Sequence, residues 1–306
     1  MAINSVLIAG AGAVGLLAAE TIYHSDPQCV SILAKGERLK RYREKGLKVN
    51  GKRLDFRFGG DSPVDLIIVA CKFHHLSQII EDIRPCVGRD TIILSLLNGI
   101  SSEDIIGAVY GRERLPLGMI IGTDAFHSGE ETTYTLKGVI NFGDADGKNG
   151  EREKSIADFF TRTGVPFALR ENMRRMLWYK YMINVGANQT TAVLRLPYGA
   201  VQNKGGPGEI KEARLLMEKA MQEVIAAANA EGIDLNEQDI AEWYRTLNLL
   251  NPAGYTSMAQ DVLAGRKTEV EMFSLQMMEL GRQHGIPVPV NETLYLQLRA
   301  IEQSYA

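Results

Sequence analysis

The sequence is short of the residues that staple small or secreted proteins. Its 306 residues include three cysteines, Cys29, Cys71 and Cys86, an odd number at spacings that match no metal-ligand motif. Neither a disulfide framework nor a bound metal is expected, and a reducing, cytoplasmic setting fits that count. Lys plus Arg number 34 against 37 Asp plus Glu, a formal charge of −3, with no basic block along the chain. Binding to nucleic acid or to a membrane surface through bulk charge is therefore disfavoured. No apolar run approaches the roughly 18 residues that a membrane span requires. The opening MAINSVLIAGAG lacks the basic region and small-residue cleavage site of an export signal, so none is expected.

The first half alternates short β-rich runs with amphipathic stretches. Strands are expected at 5–9, 29–33, 65–71, 91–96 and 116–121, with helices such as 74–84 and 101–110 between them. That alternation predicts a doubly wound parallel sheet of the Rossmann type, and 130–145 reads as a further strand pair. After about residue 170 β-branched runs nearly vanish. The stretches 171–192, 208–231, 236–249 and 268–284 instead carry Leu, Met, Ala and Ile at helical spacing. The expected organisation is an α/β domain over 1–170 followed by an all-helical domain over 171–306.

The run VLIAGAGAVG places Gly10, Gly12 and Gly15, with Ala11, Ala13 and Val14 between them, where an apolar strand turns into a helix. In a dinucleotide cradle the first glycine permits the tight turn. The second lets the pyrophosphate approach, and the third lets helix and strand pack closely. The helix amino terminus offers free N–H groups to the phosphates. The same glycines also suit a tight turn with no ligand. At the end of the second strand stands Lys35, with Arg38 close behind, where NAD-selective sites carry an acid. These cations favour NADP(H) over NAD(H). A solvated charge cluster is the alternative, and Glu37 facing the ribose would argue for NAD(H). Ligands gather at the carboxyl edge of such sheets, so the strand ends at Lys72 and Asn98 are further candidates.

In the second half, LWYKYMINVGANQTTAVL places Lys180, Asn184 and Asn188 four residues apart. On an α-helix each such step turns about 40° further and rises about 6 Å, so the three form one polar stripe among apolar neighbours. One ammonium and two amides in an apolar setting suit a small oxyanion substrate, and a partly buried lysine is suited to general-acid work. Buried asparagines bonded to neighbouring helices are the plainer alternative. In TSMAQDVLAGRKTEVEMF, Gly265 is expected to end one helix, and Thr268 with Glu271 to form a capping box that starts another. Such a break is needed if Ser257 and Glu269 are to touch one small ligand.

The ordered set GAGAVG, AKGERL, VACK, LLNGI, WYKYMINVGAN, TSMAQDVLAGRKTE and RQHGIPVPVN resembles the ketopantoate reductase (2-dehydropantoate 2-reductase) family over nearly the whole chain. The resemblance implies an enzyme that reduces ketopantoate to (R)-pantoate with NADPH, toward pantothenate and coenzyme A, without a metal. It also implies a Rossmann domain and a helical domain with the active site in the cleft between them, and a possible homodimer. By matching positions, Lys180 is the implied general acid. The resemblance likewise implies that Asn184, Asn188 and Ser257 bind the substrate's carboxylate and hydroxyl, and that Glu269 helps hold the hydroxyl and orients the lysine. It also implies that Asn98 lies near the nicotinamide and the lysine, and Lys72 beside the cofactor. The chain departs from the family pattern at Lys35, where Arg is usual, at Thr256, where Ser is usual, and at Ser274-Leu275, where Asn-Gly is common. Two other functions stay open on the same scaffold: reduction of a different 2-oxo acid, and a non-catalytic NADP(H)-sensing regulator.

Overall fold

The computed structural model describes residues 2–305. Their contacts divide them into two compact units, one ending at Arg174 and the other beginning at Arg175.

The strands of the first unit are β1 (Val6–Ala9), β2 (Val30–Leu33), β3 (Leu47–Val49), β4 (Lys52–Leu54), β5 (Arg57–Gly59), β6 (Val64–Val69), β7 (Val87–Ser95), β8 (Leu117–Thr123), β9 (Phe126–Ser128), β10 (Glu131–Thr133), β11 (Lys137–Gly143) and β12 (Phe167–Leu169). The helices are α1 (Ala13–Ser25), α2 (Gly36–Lys45), α3 (Leu76–Asp82), α4 (Ser102–Tyr110) and α5 (Glu151–Thr163). A five-stranded sheet runs in the order β5-β2-β1-β6-β7, with every pair parallel. The chain winds outward from β1 to one edge and then returns to β6 on the other side, so the switch point lies between β1 and β6. The four residues of β1 are all buried, as are the last four of β6, because such a sheet is covered on both faces. This is the expected doubly wound sheet.

Its outer membership differs from expectation. The predicted strand at 116–121 is present as β8, but it pairs antiparallel with β11 in a separate sheet of order β12-β11-β8. The fifth parallel strand is instead β5, whose three residues Arg57, Phe58 and Gly59 are too few to show a period. The stretch 130–145 does hold two strands, yet β10 joins a four-stranded sheet of order β4-β3-β10-β9 while β11 joins the three-stranded one. An apolar period announces a strand but not its neighbour.

Burial also decides the state of two cysteines. Cys29 and Cys86 are buried, which pushes the Cys29 thiol up to about 11, aided by the nearby Asp26 charge, and raises that of Cys86. A raised thiol pKa keeps the unreactive neutral form below it. Treatment of the native protein with a thiol reagent near neutral pH is expected to modify Cys71 at most, as read by peptide mass spectrometry. Labelling of Cys29 at a comparable rate would show that the first unit opens readily.

The second unit is helical: α6 (Met173–Ile183, entering from the first unit), α7 (Gln189–Leu194), α8 (Lys211–Ala230), α9 (Glu237–Leu247), α10 (Ser257–Leu263), α11 (Gln276–His284) and α12 (Pro289–Gln303). α8 buries Ala213, Met217, Ala220, Met221, Val224, Ala227 and Ala228, a stripe of helical period. It packs against the segment 184–188, where a Cβ on Gly186 would lie 2.4 Å from Cγ of Met221. Glycine there lets the two helices approach. Among the described residues no helix is long and apolar enough to cross a membrane.

Candidate functional site

In the first unit the glycine turn lies at the carboxyl end of β1, beside the switch point. Gly10 has φ of 123°, and a Cβ on it would lie 2.5 Å from the carbonyl oxygen of Ala70 at the end of β6. A Cβ on Gly15 would lie 1.8 Å from the Gly10 carbonyl oxygen, so close packing of α1 on the turn requires that glycine too. Gly12 is different: a Cβ there meets nothing within 4 Å, and its backbone is ordinary extended chain. Nothing in the protein's own packing requires glycine at this position. α1 begins immediately after it with no side-chain cap and no acid in its first turn. Its first N–H groups are therefore suited to an anion. Ala11 is buried, whereas Ala13 and Val14 are half-buried at the helix start. Open room at Gly12 and an uncapped helix end fit a pyrophosphate.

Lys35 immediately precedes α2, as expected, and its ammonium lies 3.3 Å from the carboxylate of Asp82. Glu37 is 87% exposed and pairs with Lys40 at 2.6 Å on the same helix. Arg38 is exposed on the first turn of α2. Lys72 follows the end of β6 and Asn98 follows the end of β7, both half-buried at the sheet's carboxyl edge.

In the second unit Lys180 is half-buried near the end of α6, while Asn184 and Asn188 are each 8% exposed. The stripe does not continue on a plain α-helix. Residues Asn184–Asn188 form a π turn, and a second π turn spans Glu271–Leu275. π turns inserted in α-helices recur at functional sites. An i→i+5 turn winds less per residue, so the drift expected from Lys180 to Asn184 is opposed from Asn184 to Asn188. The two amides meet, with Asn188 Nδ2 donating to Asn184 Oδ1 at 3.3 Å. Nδ2 of Asn184 is buried and has no hydrogen-bond partner.

Side chains hold both π turns. Gln189 Nε2 donates to the Val185 carbonyl at 2.9 Å, and the Tyr181 hydroxyl donates to the Phe273 carbonyl at 2.8 Å. Ser274 completes the brace by donating its hydroxyl to Gln189 Oε1. Burial raises the Tyr181 phenol well above its usual range, and burial with the Glu242 and Asp239 charges pushes Tyr179 up to about 12. Both phenols therefore keep their protons at neutral pH.

Ser257 is exposed as the first residue of α10, and Glu269 is 6% exposed in the segment between α10 and the second π turn. Both α10 and that π turn pack against Asn184–Asn188. The expected helix break is present, with Gly265 at φ of 63°. The capping box is not. Thr268 accepts from the Val270 N–H at 3.3 Å and donates its own N–H to Glu302 of α12 at 2.7 Å. Glu271 instead pairs with Lys267 and Arg299, each at 3.1 Å. Helical structure resumes at Val270, so Glu269 precedes the helix rather than standing in its first turn. Sequence reasoning also missed Thr256, which caps α10 by accepting from the Ala259 N–H and bonds Thr191 Oγ1 at 2.8 Å. A threonine before an apolar helical run is the signal that would have revealed it.

Two models of one family match successive parts of the chain. Ketopantoate reductase PanE/ApbA matches residues 6–147, and Ketopantoate reductase PanE/ApbA C terminal matches residues 172–302. The chain belongs to the ketopantoate reductase family. A ketopantoate reductase relative, the 2-dehydropantoate 2-reductase of Streptococcus pyogenes, is 26% identical over 93% of each chain. The crystal structure of 2-dehydropantoate 2-reductase from Geobacter metallireducens is 26% identical, with TM-score 0.84, covering 97% of this chain and 99% of that one. D-mandelate dehydrogenase, solved with NADH and anilino(oxo)acetate, superposes with TM-score 0.86 over 98% of this chain and 99% of its own. At 23% identity that likeness shows the fold alone.

Proposed function

We propose that this ketopantoate reductase family member reduces ketopantoate to (R)-pantoate with NADPH. The family points to ketopantoate, and the buried, unpartnered Nδ2 of Asn184 on the polar stripe is the observation that supports an oxo-acid site there. An unmade hydrogen bond of this kind costs about 1–3 kcal/mol, which a carboxylate or hydroxyl oxygen of a bound oxo acid relieves. Asn184, Asn188 and Ser257 bind and orient that acid. Lys180, half-buried on α6, stabilises negative charge as it develops on the C2 carbonyl oxygen and then gives that oxygen a proton. Glu269 holds the substrate hydroxyl and orients Lys180.

The Gly10–Gly15 turn and the start of α1 hold the dinucleotide phosphates. Lys35 and Arg38 meet the 2′-phosphate, Lys72 stands beside the cofactor, and Asn98 lies near the nicotinamide. When bound, the reduced nicotinamide supplies the hydride.

A different 2-oxo acid as substrate on the same scaffold is the second reading. Loss of NADPH absorbance with ketopantoate, phenylglyoxylate and smaller 2-oxo acids separates the two. The expected result is the highest kcat/KM for ketopantoate. A maximum for phenylglyoxylate moves the substrate class, and tight NADPH binding without any turnover supports a sensing regulator.

A further inference from the structure

The ammonium expected to meet a 2′-phosphate is already engaged in this chain. Lys35 Nζ donates to the main-chain oxygen of Asp82 at 3.0 Å and lies 3.3 Å from its carboxylate. Asp82 is the last residue of α3, where free carbonyls and the helix dipole favour a cation. Its Oδ1 also accepts from Gln78 Nε2 at 3.2 Å, one turn back on the same helix, which keeps the carboxylate aimed. The other acid of the turn, Glu37, is taken up by Lys40. Asp82 is therefore the acid that faces Lys35 directly.

We propose that Asp82 is a specificity-determining residue that holds down the preference for NADPH and leaves NADH a usable cofactor. The proposal rests on the dinucleotide role given to the glycine turn above. A 2′-phosphate that reaches Lys35 must share its ammonium with the Asp82 carboxylate, and two anions at ion-pair distance from one nitrogen repel each other. NADH carries a hydroxyl at that position and meets no such repulsion. Lys35 is 45% exposed, and exposed ion pairs are weak, so the effect is several-fold rather than several orders of magnitude.

Asp82→Asn removes the charge while retaining the shape, the acceptor oxygen and the main-chain carbonyl. Titration of the parent and the variant with NADPH and NADH, followed by protein fluorescence, reads the ratio of the two dissociation constants. The expected result is a shift of about 2–5-fold toward NADPH, the size expected for one partly screened charge. It should come from tighter NADPH binding, with NADH nearly unchanged, and should shrink at high salt. Asp82→Ser should act in the same direction and guards against a peculiarity of Asn. An unchanged ratio overturns the proposal, as does a fall, which would mean that Asp82 orients Lys35 for the phosphate. A parent that binds neither dinucleotide would instead remove the cradle role of the glycine turn, a result distinct from an unchanged ratio.

Discussion

Lys180→Ala is expected to lower kcat for ketopantoate by about 10²–10⁴-fold, the range supplied by a positioned general acid. Titration by fluorescence should show NADPH binding close to that of the parent, because the glycine turn and Lys35 stand in the other unit. That split matters more than the size of the loss. Equal losses in turnover and in NADPH affinity would show that the lysine supports the fold or the cofactor rather than the proton transfer. Near-parental turnover would move the acid elsewhere. Tyr179 and Tyr181 are poor substitutes, since the first is pushed up to about 12 and the second donates its proton to the Phe273 carbonyl.

The glycine turn offers the second large effect, as a contrast between neighbours. In Gly12→Val the new Cβ meets nothing within 4 Å and an ordinary backbone conformation. Folding stability should change by about 1 kcal/mol or less, the scale of an altered helix cap. Dinucleotide affinity should fall roughly 10–100-fold, because backbone bonds to a charged pyrophosphate are worth about 1.5–3 kcal/mol each. In Gly15→Ala the added carbon would sit 1.8 Å from the Gly10 carbonyl oxygen, so α1 must move off the turn. Overpacking of that kind costs about 1–3 kcal/mol and should lower Tm even without ligand. Urea unfolding and NADPH titration of both variants separate the two roles. Unaltered affinity in Gly12→Val would mean that the turn holds no pyrophosphate.

The parallel sheet was legible in the sequence because strands covered on both faces must be continuous apolar runs, as β1, β6 and the end of β7 are. The helical second unit was legible for a similar reason, since the buried stripe of α8 repeats with the helical period. Pairing was not. Nothing local in residues 117–123 says that they join β11 rather than the parallel sheet, and the three residues of β5 carry no period at all. At the candidate site the residue types were visible but their surroundings were not. A π turn differs from an α-helix by a single residue, too little to disturb the spacing of Lys180, Asn184 and Asn188. Glu302 replaces the expected partner of Thr268 from 34 residues away, and Asp82 meets Lys35 from a distance of 47 residues. Contacts of that range belong to the fold and leave no trace in a short motif.

The π turn at Asn184–Asn188 has a further consequence for how the chain tolerates change. Such a turn is an α-helix carrying one surplus residue. Losing a single residue there would restore an ordinary helix and leave Lys180 close to its present rotation and rise relative to the turns that follow, because the wide turn already absorbs the surplus residue. A deletion along this stretch is thus a local event like a substitution, taken up by the turn rather than passed on to the ammonium. A relative one residue shorter between Lys180 and Asn188 can therefore present the same polar stripe on an ordinary helix.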